Sequence, residues 1–182
     1  MDGNWTESKE RIVRLPEDDP VTFEVYVNLA YTGLLFTKNT DEKRTAATIS
    51  DELDELCRLY VLGEKLQDKA AKSSAVQALL VVSEEEDVDG SVCAPRNHVV
   101  SDMYHGTCSG SIGRRLMVDI WITDATRHIS NPGIVAKHIS DNGDGLPKEF
   151  VLDLAVALLA VISKSKVGSS KLSMSRYMEK VD

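Results

Sequence analysis

Apolar residues recur at helical spacing along most of this chain. Phe23, Tyr26, Val27, Ala30 and Tyr31 fall three and four residues apart, which predicts a helix over about 20–31 with one apolar face. Its ends are marked as well. Asp19 is an N-cap residue, Pro20 suits the first helical position, and Gly33 stands where a left-handed terminating residue is favoured. Leu53, Leu56, Leu59, Tyr60, Leu62 and Leu66 trace a second helix, read as starting at Ser50 with Asp51 and Glu52 in its first turn. Gly63 inside it costs about 1 kcal/mol relative to alanine, so a neighbouring helix is expected to pass close there. A third helix, over about 69–82, carries Ala70, Ala71, Ala75, Ala78, Leu79 and Val82. The acids Glu84, Glu85, Glu86 and Asp87 would oppose its dipole, and are expected beyond its end as a solvated linker. Shorter helices follow over about 95–105 and 113–123, the latter with Leu116, Met117, Ile120 and Trp121. Pro147 opens a last helix on which Phe150, Val151, Leu154, Ala155, Leu158, Leu159 and Ile162 make a broad apolar face.

Two short runs read differently. Residues 11–15, Arg-Ile-Val-Arg-Leu, alternate imperfectly and stop at Pro16, which predicts a strand; Leu34, Leu35 and Phe36 predict a second. Residues 37–48 are polar and read as an exposed loop. The fold class expected is therefore α+β, mainly α. Its divisions are a first domain over 1–82, an acidic linker over 83–94, a helical extension over 95–166 and a serine- and lysine-rich disordered tail over 167–182.

Charge and composition narrow the chemistry. The net charge of −8 and the absence of any basic run longer than two residues argue against nucleic acid and against an anionic membrane surface. The longest apolar stretch, 150–162, is interrupted by Asp153 and falls short of the roughly 18–20 residues a membrane span needs. The first eight residues lack a signal peptide's basic flank and apolar run, so a cytosolic or nuclear location is expected. Three widely spaced cysteines, Cys57, Cys93 and Cys108, fit free thiols.

Candidate chemical motifs are incomplete. The glycine-rich stretch Gly106 to Arg115 could cradle an anion, yet it lacks the Gly-Lys-Ser/Thr of a P-loop and the buried strand that precedes a dinucleotide fingerprint. Cys93, His98, His105 and Cys108 include zinc-ligand residue types, but the close Cys-x-x-Cys knuckle is missing. Glu85, Asp87, Asp89 and Gly90 mimic the start of a calcium loop, whose twelfth position is Arg96 in place of a bidentate glutamate. No Gly-x-Ser-x-Gly elbow surrounds any serine. No catalytic residue, cofactor site or metal site is expected.

Read as a unit, Glu7-Ser8, residues 12–20 (Ile-Val-Arg-Leu-Pro-Glu-Asp-Asp-Pro), 23–27 (Phe-Glu-Val-Tyr-Val) and Tyr31-Thr32-Gly33 resemble the second half of a BTB/POZ domain. Residues 59–68, Tyr-Val-Leu-Gly-Glu-Lys-Leu among them, are similar to that domain's next helix in its filamentous-fungal form. Residues 103–107, 114–119 and 146–150 resemble the extension that follows it, so the resemblance spans about 7–162. It implies the family's third strand, the helix after it, a short strand at 34–36 and the closing helices. The family's opening β-hairpin and helical pair would lie upstream of this start, which makes the chain read as a fragment, a truncated gene model or a divergent short form. Family-type homodimerisation, built mainly from those elements, is then not expected. Ile12, Val13, Phe23 and the Leu53 to Leu66 face would be left partly exposed.

The function implied is a protein–protein interaction module, with a possible role as adaptor to a cullin-based ubiquitin ligase. The interaction surface is expected at Phe23, Tyr26, Leu34, Phe36, Ile49 and Leu53. The hydrophobic-x-Glu contact of such adaptors finds its nearest counterpart in Ile49-Ser50-Asp51. Two alternatives stand beside this reading: a structural or self-associating helical domain with no ligase role, and a metal- or anion-binding enzyme around residues 93–115.

Overall fold

A computed structural model describes residues 18–37, 44–90, 92–127 and 145–164. Six helices run in order: α1 (Pro20–Thr32), α2 (Ala46–Lys65), α3 (Lys69–Ser83), α4 (Asn97–Gly106), α5 (Ile112–Arg127) and α6 (Lys148–Lys164). Among the described residues there is no strand, and the α+β expectation is corrected to all-α for that part of the chain. The strand expected over 11–15 lies outside the described residues. At 34–36 the chain is irregular: the Leu34 amide donates to the Thr32 hydroxyl at 3.1 Å, and no strand among the described residues offers a ladder.

Local signals account for the helix ends. The Asp19 carboxylate accepts from the Thr22 amide, Pro20 opens α1, and Gly33 closes it at φ 69°. α2 starts five residues before the predicted Ser50 cap. Thr45 is its N-cap, and a reciprocal capping box joins the Thr45 hydroxyl to the Thr48 amide and the Thr48 hydroxyl to the Thr45 amide. Asp68 caps α3 through the amides of Ala70 and Ala71.

α2 is the central helix, lying on α3, α4 and α1, while α5 and α6 pair on the far side of α4. The expected close approach at Gly63 is present: a Cβ there would stand 3.0 Å from Lys72 Cγ on α3. Two further glycines hold tighter contacts. Gly106, ending α4, lies directly against Val61 of α2, and Gly113 near the start of α5 packs onto the Tyr60 ring and the Met103 thioether.

A single hydrophobic cluster joins residues from both sides of the acidic segment. Leu53, Leu56 and Leu59 of α2 meet Ala75 and Leu79 of α3, Val99 and Met103 of α4, Met117 of α5 and Phe150 of α6. Of the Leu53 to Leu66 face expected to be partly exposed, Leu53 to Leu62 is buried under α3, α4 and α5, a correction to the expectation, while Leu66 at its end keeps 37% of its surface exposed. Phe150 is the pin for α6. Its ring meets Tyr104 and Trp121 edge-on at 5.5 and 5.4 Å.

Candidate functional site

Of the six residues expected at an interaction surface, three are exposed, Leu34 and Phe36 the most and Phe23 less. Leu34 and Phe36 keep 59% and 61% of their surface exposed. They belong to the segment leaving Gly33, which runs beside α3 and leaves a groove of about 500 Å³ between them. Leu29, Leu35 and Val82 supply the groove's apolar floor, and Phe36 and Val81 its apolar rims.

The segment is anchored at both ends. The Thr32 hydroxyl holds it at the start, and at the far end the Thr37 hydroxyl donates to Glu52 Oε1 at 2.8 Å. Glu52 is a buried carboxylate whose other oxygen accepts from Arg44 at 2.7 Å. Arg44 also holds Glu85 at 2.5 Å, and its carbonyl accepts from the Val88 amide. Burial alone would lower the Arg44 pKa, but the two carboxylates outweigh it and the value is raised. Glu85, expected in a solvated linker, is thus tied back onto α2, whereas Glu84, Glu86 and Asp89 are exposed.

The other four expected residues lie apart from this groove. Phe23 is 38% exposed and rests on Tyr26, with ring centroids 6.2 Å apart. Tyr26 is half-buried, and its hydroxyl donates to Asp68 at 3.2 Å. Ile49 and Leu53 have no exposed surface. As α2 begins at Ala46, the Ile49-Ser50-Asp51 triplet lies within a helix; Ile49 points into the core and Asp51 pairs with Arg96. Val81 was missed in the sequence, although its signal is readable. The buried stripe of α3 runs Ala71, Ala75, Leu79, Val82, so Val81 is an apolar residue off the stripe.

A second concavity, about 860 Å³, opens between the start of α1, α2 and the end of α4. Its walls are mixed in charge: Asp18, Asp19 and Asp102 face Arg58, Lys65 and His105. Lys65 is paired with Asp18 at 2.6 Å, and the His105 Nδ1 position is taken by the Ser101 carbonyl at 2.8 Å. Burial pushes Glu55 upward, against the opposing Thr22 hydrogen bond, and one of its oxygens is buried without a partner.

The candidate anion loop spends one of its two arginines, Arg114, on structure, while Arg115 is exposed. Arg114 donates to the carbonyls of Tyr104 and Thr107, to the Thr107 hydroxyl and to Glu149, with its guanidinium 4.6 Å from the centre of the Tyr104 ring. It therefore caps the C-terminal end of α4 and joins α4 to α5 and α6. Three of the four candidate zinc residues are occupied separately, Cys93 with the Ala46 carbonyl, His98 3.6 Å from Asp54 and His105 with Ser101, and Cys108 is an exposed free thiol. Among the described residues no group of three or more His, Cys, Asp or Glu side chains is placed to hold a metal ion. Cys57 is wholly buried, which pushes its thiol pKa far upward. No helix among the described residues is long and apolar enough to cross a membrane. Comparison with known proteins matches no family model, no curated protein and no solved structure.

Proposed function

We propose that this chain is a noncatalytic protein-interaction module that seats apolar side chains of a partner between the 33–37 segment and α3. The observation that carries the reading is Phe36, exposed on the rim of the groove against α3, with the exposed Leu34 two residues before it in a segment tied at its ends by hydrogen bonds of Thr32 and Thr37. Exposed large apolar residues scattered singly need no explanation; two in one anchored segment, one of them on the rim of a groove, mark a contact surface. The sequence resemblance to BTB/POZ domains supports the same class and makes a cullin N-terminal region the first partner to test. Within that reading the contact falls to Leu34 and Phe36, since Ile49 has no surface to offer.

Calorimetric titration of the chain with a cullin N-terminal region tests this. Saturable one-to-one binding, weakened at least about tenfold by Leu34→Ser with Phe36→Ser at an unchanged melting transition, is the expected result. Binding untouched by the double variant would remove the groove from the account, and no binding would remove the cullin as partner. A second reading, self-association without a cullin, draws its support from the exposed outer side of α6.

A further inference from the structure

The two walls of the groove, the 33–37 segment and α3, share no hydrogen bond with each other among the described residues. The only hydrogen bond that residues 33–37 send beyond α1, among the described residues, runs from Thr37 to Glu52 at 2.8 Å. Glu52 lines the groove from α2 and passes the connection on. Its other oxygen accepts from Arg44 Nη2 at 2.7 Å, and the same guanidinium donates to Glu85 Oε2 through Nε at 2.9 Å and Nη2 at 2.5 Å. Glu85 in turn is fixed to the opposite wall, since its amide donates at 3.1 Å to the carbonyl of Val82, a residue of the groove floor.

We infer, on the reading of this groove as the contact surface, that Arg44 is its positioning residue: one guanidinium clasps the Thr37 side to the Glu85 side and sets the width of the gap a partner enters. A guanidinium presents its N–H donors in a rigid planar fork, so two carboxylates bound to it are held at a fixed separation, which an ammonium does not impose. The clasp is also shielded. The Glu52 side chain is 3% exposed and those of Arg44 and Glu85 are 28% and 24% exposed, so salt screens it less than a pair on the open surface. The backbone of Arg44 takes part as well, because its carbonyl accepts from the Val88 amide at 3.1 Å and so joins the residue to the chain beyond α3. A gap already held at its binding width is entered without the cost of ordering its walls, and through that saving the clasp contributes to affinity.

Replacing Arg44 itself would leave the Glu52 carboxylate buried without a counter-charge and endanger folding. Thr37→Val and Glu85→Gln each cut one side of the clasp and keep that pair. Nitroxides on Leu34→Cys and Val81→Cys, in a Cys93→Ser, Cys108→Ser background where only the buried Cys57 remains, read the distance between the walls by their dipolar coupling. The expected result is that Thr37→Val and Glu85→Gln each lengthen and broaden this distance at an unchanged melting transition. Thr37→Ser, which keeps the hydroxyl, should retain the wild-type value. In the unlabelled chain the same two variants should weaken binding of a cullin N-terminal region at least about tenfold, while Thr37→Ser binds as wild type. A distance unchanged in both variants would overturn the proposal whether or not melting falls, since a contact that only adds stability shifts melting without moving a wall. A lengthened distance with affinity unmoved would overturn it as well, by showing that the width does not matter to the partner. A cullin region that binds neither wild type nor variants would count against that partner alone, and the lengthened distances would still uphold the clasp.

Discussion

Arg114 shows how much of this molecule rests on single side chains. Its guanidinium satisfies two carbonyls at the end of α4 and reaches Glu149 on α6 while remaining only 11% exposed. Arg114→Lys keeps the charge but loses the planar fork, so it should cost about 2–4 kcal/mol in urea unfolding. Gly113→Ala should cost about 1–3 kcal/mol, because a Cβ would stand 2.5 Å from the Tyr60 ring and 2.6 Å from the Met103 sulfur. Asp54 gives a pH signature. Burial raises its pKa above 3.8 despite Arg96 and His98 nearby, and one of its oxygens is buried without a partner. The folded state then holds the Asp54 proton more tightly than the unfolded state. In the window from 3.8 up to the raised value this group's contribution to stability falls as pH rises. Asp68 acts oppositely: hydrogen bonds from the Ala71 amide, the Tyr26 hydroxyl and the Ala70 amide lower its pKa, so its contribution is lost as pH falls below 3.8. Urea titrations of wild type and Asp54→Asn should differ in slope across the first window, and a shared slope would remove Asp54 as its source.

At the scale of elements, legibility followed the strength of the local signal. α1 could be read from end to end, since Asp19, Pro20 and Gly33 mark its limits in residue types with few other uses. α2 could be read in its interior but not at its start. Thr48 stands where a capping box normally carries Glu or Gln, inside a polar run that looks like loop. Thr45→Ala should lower stability by about 1 kcal/mol, measurable as a shift in the urea midpoint. The supposed strand at 34–36 had β-compatible residues, but three residues without a pairing partner among the described residues make no sheet. Periodicity also placed Phe150 and Leu154 correctly on the inner side of α6. It could not tell that Val151, Ala155 and Leu159 of the same broad apolar face would remain outside, because that depends on how many neighbours the helix has.

For the whole molecule, the decisive feature is a core that packs α2 against α1, α3 and α4 and continues through α4 to α5 and α6, with surplus apolar surface left at the 33–37 segment and on α6. The resemblance put Leu34 and Phe36 among the expected surface residues but gave no sign of the groove, whose second wall comes from α3, more than 35 residues away along the chain. It also grouped Ile49 and Leu53 with them, since an apolar residue on a helix reads the same whether it faces a partner or the core. Leu79→Ala, at a site with no exposure, should destabilise the chain by about 2–5 kcal/mol, whereas Leu34→Ser with Phe36→Ser should change the urea midpoint little. That contrast separates core from contact surface. The groove as the binding surface is tested most directly by amide hydrogen exchange of the chain with and without a saturating cullin N-terminal region. Slowed exchange confined to residues 33–37 and 74–82, with α6 unchanged, is the result the account predicts. Protection elsewhere with none at these two segments, or no protection at all, would contradict it.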